Sequence, residues 1–104
     1  MLKTIDVVRA AARVTKIQAR DIVSRSRRQH LVETRIAIGI VARRAGRSTT
    51  QIGRVLNRDH STICQNQKKH GQRNSIISLA ADIELEIIRQ SPLLIPHATS
   101  YATA

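Results

Sequence analysis

The chain has 104 residues and a formal net charge of +11, from 18 lysines and arginines against seven aspartates and glutamates. This length suits one domain with one modest core. Tyr101 is the only aromatic residue, which argues against modules that stack unpaired bases on aromatic rings. One cysteine excludes an internal disulfide framework and a cysteine-rich zinc site. No apolar run approaches a membrane span, and we expect a cytoplasmic protein.

The charge is distributed unevenly along the chain. Residues 1–73 carry 17 basic and four acidic side chains, whereas residues 74–104 carry one basic and three acidic ones. A segment of this size with such an excess repels itself, so a polyanion is the expected partner, the alternative being a merely soluble basic surface. We predict a domain over 1–73, an additional helix over 74–91 that packs on it or dimerises, and a flexible tail over 92–104.

The first half of the chain predicts three helices. Apolar residues at helical spacing indicate a helix over 5–13, with Thr4 as its N-cap, and a short one over 18–23. Residues 24–29 hold three arginines without periodicity and are expected to form a basic loop. The run over 30–45 is apolar on several sides and predicts a central, mostly buried helix. Gly39 within it suggests a close helix neighbour, and Gly46 ends it.

Three further helices are predicted in the second half. Ser48 and Gln51 have the spacing of a capping box that opens a helix over 49–56. Asn57 suits a left-handed turn residue, and Asp59 an N-cap for a helix over 60–69. A final helix over 76–90, with Ser75 as its cap, has apolar residues at a period of 3.6. The fold class is therefore all-α, about six helices with a helix-turn-helix at about 49–70.

The second helix of that pair opens with short polar side chains. A helix N-terminus of this kind can enter the major groove, where base edges present a distinctive pattern of donors and acceptors. The Asp59 carboxylate can accept from cytosine, His60 can donate to a base or a phosphate, and Thr62 can hold a phosphate. Arg54 and Arg58 flank the turn, where backbone phosphates would pass.

The stretch from Ile52 to Ile63, with the motif Arg58-Asp59-His60-Ser61-Thr62, resembles the C-terminal DNA-binding domain of the bacterial replication initiator DnaA. The upstream order of a leading helix, a basic loop and a long helix also matches, so the resemblance spans roughly residues 5–70. It implies binding of double-stranded DNA at sites like the nine-base-pair DnaA box. In that family the recognition helix reads the major groove, and an arginine of the basic loop enters the minor groove.

Site residues follow from the resemblance by position. The expected base contacts come from Asp59, His60 and Ser61 in the major groove and from one loop arginine, for which we favour Arg25 over Arg27 or Arg28. The expected phosphate contacts come from Arg27, Arg28, Thr50, Arg54, Arg58, Thr62 and Lys68 or Lys69. Such a protein would regulate transcription or replication initiation in the cytoplasm at the nucleoid.

The chain departs from the family pattern at the turn and on the recognition helix. Asn57 stands where the family has two glycines, Ser61 replaces a threonine, and Asn66 and His70 fall at positions usually small or apolar. No phosphate-binding loop of the ATPase type occurs. We therefore expect the DNA-reading domain used alone, with no nucleotide and no cofactor.

Other classes of function remain as alternatives. A protein-interaction adaptor or homodimer could use residues 76–90, and a nucleoid-type protein could bind DNA without sequence preference. The scattered histidines predict no metal site, and Cys64 is expected to be a small core residue. No paired acid–base constellation or activated nucleophile is apparent, so the chain is not expected to be an enzyme.

Overall fold

The computed structural model describes residues 2–90 and confirms an all-α protein. Its helices are α1 (Thr4–Thr15), α2 (Ala19–Ile22), α3 (Gln29–Arg44), α4 (Thr49–Leu56), α5 (His60–His70) and α6 (Asn74–Gln90). The segment between α2 and α3, residues 23–28, is the basic loop. The tail predicted over 92–104 lies outside the described residues.

Helix α3 is the centre of the fold, as its pattern predicts. It contacts all five other helices. Buried residues occur on several of its sides, since Ile36, Ala37 and Ile38 are all at most 4% exposed in one turn. Gly39 allows α5 to approach closely, because a Cβ there would meet the side chains of Gln67 and Ile63. One core therefore sets the position of every helix.

Local signals define the ends of α3 and α4. Gly46 adopts a left-handed φ of 91° after α3, and the Arg47 amide reaches back to the Ala42 carbonyl at 3.0 Å, as in a Schellman ending. The predicted capping box is present: the Gln51 amide donates to the Ser48 hydroxyl at 3.1 Å, and the Ser48 amide donates to the Gln51 side chain at 2.9 Å. These ends fix where the helix-turn-helix begins.

Two predicted caps are wrong. Thr4 is the first, buried residue of α1, and Lys3 is the N-cap, whose backbone N–H donates to the Asp6 carboxylate at 2.9 Å. Ser75 lies inside α6, and its hydroxyl donates across to Glu33 on α3 at 3.4 Å. At α1, the Asp6 carboxylate accepts from the Lys3 amide in place of the expected Thr4 cap. At α6, the Ser75 hydroxyl makes a tertiary contact with Glu33 instead of a cap.

Helix α6 packs against α1 and α3. Its buried apolar residues, Ile76, Ala80, Ile83 and Ile87, follow the predicted period. Two ion pairs support the contact: Glu84, 1% exposed, pairs with Arg44 of α3, and Glu86 pairs with Arg13 of α1 at 2.9 Å. Over residues 2–90, no helix is long and apolar enough to cross a membrane.

Candidate nucleic-acid interface

Helices α4 and α5 form a helix-turn-helix with a tight turn. Asn57 takes the left-handed conformation predicted for it, with φ 57° and ψ 45°. The Arg58 amide then donates to the Gly53 carbonyl at 2.7 Å. A Cβ at Gly53 would collide with the backbone carbonyl oxygen of Arg58. Glycine at this position therefore lets the turn pack directly on α4.

The N-terminal tip of α5 faces solvent. Asp59, His60, Ser61 and Thr62 are all exposed, whereas Ile63, the next residue, is buried. Asp59 occupies the N-cap position by its backbone, because its carbonyl accepts from the Ile63 amide at 3.2 Å. The predicted N-cap position is confirmed, although the Asp59 carboxylate accepts no capping hydrogen bond. The carboxylate is left available for an external donor.

Helix α5 packs on α3 and α4, while α6 packs on α1 and α3. The additional helix and the polar tip of α5 therefore use different parts of the core. The exposed tip of α5 is not covered by α6.

A buried arginine holds the basic loop in place. Arg35 of α3 is 6% exposed. Its guanidinium donates to the carbonyl oxygens of Ile22 at 2.6 Å, Ser26 at 2.7 Å and Ser24 at 2.8 Å. Charged donors make the stronger hydrogen bonds in proteins. Three of them fix the backbone on both sides of Arg25.

Arg58 connects the loop to the helix-turn-helix. Its guanidinium donates to the carbonyl oxygens of Leu56 at 3.3 Å and Asn57 at 3.0 Å, within the turn. It also donates to Ser24 at 2.6 Å. The Ser24 carbonyl thus accepts from both Arg35 and Arg58. We call these two arginines and Ser24 the loop clamp.

The loop clamp lies in a strongly positive environment. Burial lowers the pKa of Arg35 to about 10, and the charge of Arg58 acts in the same direction. Burial also lowers the pKa of Arg58, with further contributions from the charges of Arg27 and Arg25. With a pKa of about 10, Arg35 remains charged at neutral pH. Because like charges raise one another's energy, an anion bound here would be stabilised.

The other predicted contacts divide between two sides of the loop. Arg27 borders the same cavity as Arg58 and Thr62, which brings the loop and the recognition helix together. Arg28 lines a separate groove with Asp21 and His30. Arg25 is exposed. The remaining predicted phosphate contacts are also exposed, namely Thr50, Arg54, Lys68 and Lys69.

Sequence reasoning missed the role of Arg35. The signal was present, since Arg35 occurs in an apolar run and shares a helix face with Leu31, Ile38 and Ala42 at spacings of four, three and seven. An isolated cation on an inward face requires buried acceptors, and the nearby loop carbonyls supply them. Cys64 is half-buried. In the described part of the chain, no group of three or more metal-ligating side chains forms.

The fold and the exposed polar helix define a helix-turn-helix DNA-binding domain. A family model described as the bacterial dnaA protein helix-turn-helix matches residues 5–69. The match covers more than half of the chain, which therefore belongs to this family, and the resemblance stated above is confirmed. The matched region ends before α6. No curated protein and no solved structure matches the chain.

Proposed function

We propose that the protein binds double-stranded DNA sequence-specifically, at sites like the DnaA box, and thereby regulates transcription or replication initiation at the nucleoid. The observation that carries this proposal is the exposed N-terminus of α5. It offers the Asp59 carboxylate, the His60 ring and the Ser61 hydroxyl, none of them engaged in hydrogen bonds with the rest of residues 2–90. Short polar groups on a helix tip suit the major-groove edges of base pairs.

Affinity comes from the cations around that tip. Arg25, Arg27 and Arg28 make no ion pair with any described residue, whereas the acidic side chains of α6 pair with Arg13 and Arg44 on the other part of the fold. The three loop arginines therefore keep their full charge close to the helix-turn-helix. Phosphate contacts from the loop, Thr50, Arg54, Thr62 and Lys68 or Lys69 would set register and affinity without carrying sequence information.

The loop clamp gives the minor-groove contact its geometry. Arg25 lies between the two loop residues, Ser24 and Ser26, whose carbonyls Arg35 holds. The loop is therefore preorganised, and less conformational entropy is lost on binding. Arg58 acts chiefly as a positioning residue, because its guanidinium already bonds three carbonyls, and its charge adds to the local attraction for phosphate.

Selection of binding sites from a pool of random duplexes tests the proposal. We expect enrichment of one site of about nine base pairs, with affinity for it about 10³-fold or more above random DNA. Asp59→Ala and His60→Ala should weaken the enrichment, and Ser78→Ala, an exposed change on α6, should retain it in full. Recovery of no common sequence, with undiminished binding to the pool, would instead support a non-specific nucleoid-type protein.

Exposed apolar side chains on α6 favour a second role for this helix, in binding another protein chain. Ile77 is 49% exposed and Leu85 is 45% exposed, although both are large and apolar. This face would suit a second copy of the chain or a protein partner. Light scattering at micromolar concentration tests the homodimer. A doubled molar mass that Leu85→Glu reduces to the mass of one protomer would support a homodimer. The mass of a single protomer for the unsubstituted chain would exclude it.

A further inference from the structure

A cavity of about 330 Å³ opens between the basic loop, α3 and α5. Its floor is apolar and consists of Val32, Ile36 and Ile63. Ile36 and Ile63 are 4% and 6% exposed, so the floor belongs to the core. A sugar-phosphate backbone is polar and charged, so an apolar floor would contribute little to binding it. The cavity is small, at the lower end of the sizes typical of ligand sites.

Cations border one side of the cavity. Arg27, Arg35 and Arg58 all line it, and none of them forms an ion pair with an acidic side chain in residues 2–90. Arg27 makes no hydrogen bond to another described residue, so its whole guanidinium is available. Arg35 and Arg58 already donate to backbone carbonyls. Arg27 can therefore offer paired N–H donors to the oxygens of a phosphate, while the other two guanidinium groups add positive charge.

The lining also includes neutral polar side chains of α5, namely Thr62, Asn66 and Gln67. The Gln67 amide nitrogen is buried against Gly39 of α3 and finds no hydrogen-bond acceptor in the part of the chain described. The cavity thus combines cationic, apolar and neutral polar side chains.

We propose that this cavity binds a small organic phosphomonoester with a compact apolar body. The phosphate would lie against Arg27 and Arg58, and the body would cover the floor at Val32 and Ile63. Because the proposed function assigns Arg27 and Thr62 to DNA phosphates, the bound ligand would also compete with DNA. That second step rests on the proposed function, whereas ligand binding itself does not.

The test uses phenyl phosphate as the probe, with inorganic phosphate and phenol for comparison. Burial of about 60 Å² of ring surface corresponds to about a tenfold gain in affinity. We therefore expect phenyl phosphate to bind the full chain at least about tenfold more tightly than inorganic phosphate, and phenol to bind weakly. Side-chain amide signals of Asn66 and Gln67 in NMR spectra should shift with phenyl phosphate.

Two substitutions locate the site. Val32→Trp fills the cavity and should abolish the preference for phenyl phosphate while leaving the weak affinity for inorganic phosphate. Val14→Trp, at a half-buried position of α1 outside the cavity, is the matched control. Asn66→Leu is a milder change that should weaken phenyl phosphate binding at least threefold. It replaces Val32→Trp as the test if that variant does not fold. Equal affinities for phenyl phosphate and inorganic phosphate would overturn the proposal. Binding of phenyl phosphate that neither Val32→Trp nor Asn66→Leu alters would also overturn it.

A DNA arm separates this proposal from the proposed function. Saturating phenyl phosphate should lower the affinity of the unsubstituted chain for DNA at least threefold, and it should have no effect beyond ionic strength on Val32→Trp. Cavity binding without an effect on DNA affinity would overturn the competition. A chain that binds phenyl phosphate but shows no preference among DNA sequences would contradict the proposed function and leave the ligand site supported.

Discussion

Replacing Arg35 by methionine tests the loop clamp. The substitution keeps most of the side-chain volume but removes the donors to three backbone carbonyls, that of Ile22 at the end of α2 and those of Ser24 and Ser26 in the loop, at 2.6 to 2.8 Å. Hydrogen bonds from charged groups contribute about 1.5–3 kcal/mol each. The loss is offset in part, because burial holds the pKa of Arg35 near 10. Relief of that unfavourable charge returns about 3 kcal/mol, at about 1.4 kcal/mol per pKa unit.

The expected net loss of unfolding free energy is about 1.5–6 kcal/mol, a large fraction of the 5–15 kcal/mol typical of a small domain. Urea unfolding followed by circular dichroism measures it. Arg43→Met is the matched control, because Arg43 is an exposed arginine of the same helix, and it should change stability by less than about 0.5 kcal/mol. Equal, small effects of the two substitutions would refute the clamp as a stabilising contact.

Three other predictions concern salt, the turn and pH. If about six phosphates are neutralised, DNA affinity should fall roughly a thousandfold between 50 and 200 mM salt. Filter binding or fluorescence anisotropy would measure this decrease. An affinity that is nearly independent of salt would exclude phosphate contacts as its source. Gly53→Ala should lower the unfolding free energy by about 1–3 kcal/mol, because the backbone of the turn occupies the place of the new Cβ. An unchanged melting temperature would contradict the packing of the turn on α4. Hydrogen bonds from Arg13 and Gln90 lower the pKa of Glu86 below its ordinary 4.5, so its contribution to stability is present above that pH and is lost as pH falls through the lowered value. Acid unfolding of Glu86→Gln should lack this component, and an identical pH profile would show that the pair contributes nothing.

The sequence predicted the helices because their signals are local. The capping box at Ser48, the left-handed Asn57 and the apolar period of α6 each depend on residues within one or two turns. The exposed tip of α5 followed from the same local pattern, together with the family motif.

The loop clamp was not predictable in the same way. It joins Ser24 to Arg35 and Arg58, which are 11 and 34 residues away, and backbone carbonyls leave no mark in an amino-acid sequence. Ser75 failed as a cap for a related reason, since its hydroxyl bonds Glu33 on another helix. Periodicity can place Arg35 on an inward helix face, but it does not show which carbonyls the side chain bonds, because those contacts depend on the packed fold.

The cavity between loop and helix was also unforeseen. Asn66 departs from the family pattern, and that departure marks the wall of the cavity. Its lining, however, comes from the loop, α3 and the helix-turn-helix, and how these parts come together is a property of the tertiary structure.

The most direct test of the central claim is the ratio of affinities for the selected site and for random DNA, measured with His60→Ala beside the unsubstituted chain. The α5 tip reads base edges in this account, so the substitution should cost about 1–3 kcal/mol on the selected site and little on random DNA, and the ratio should fall about 5- to 150-fold. Equal losses on both DNAs, leaving the ratio unchanged, would contradict base reading by this helix.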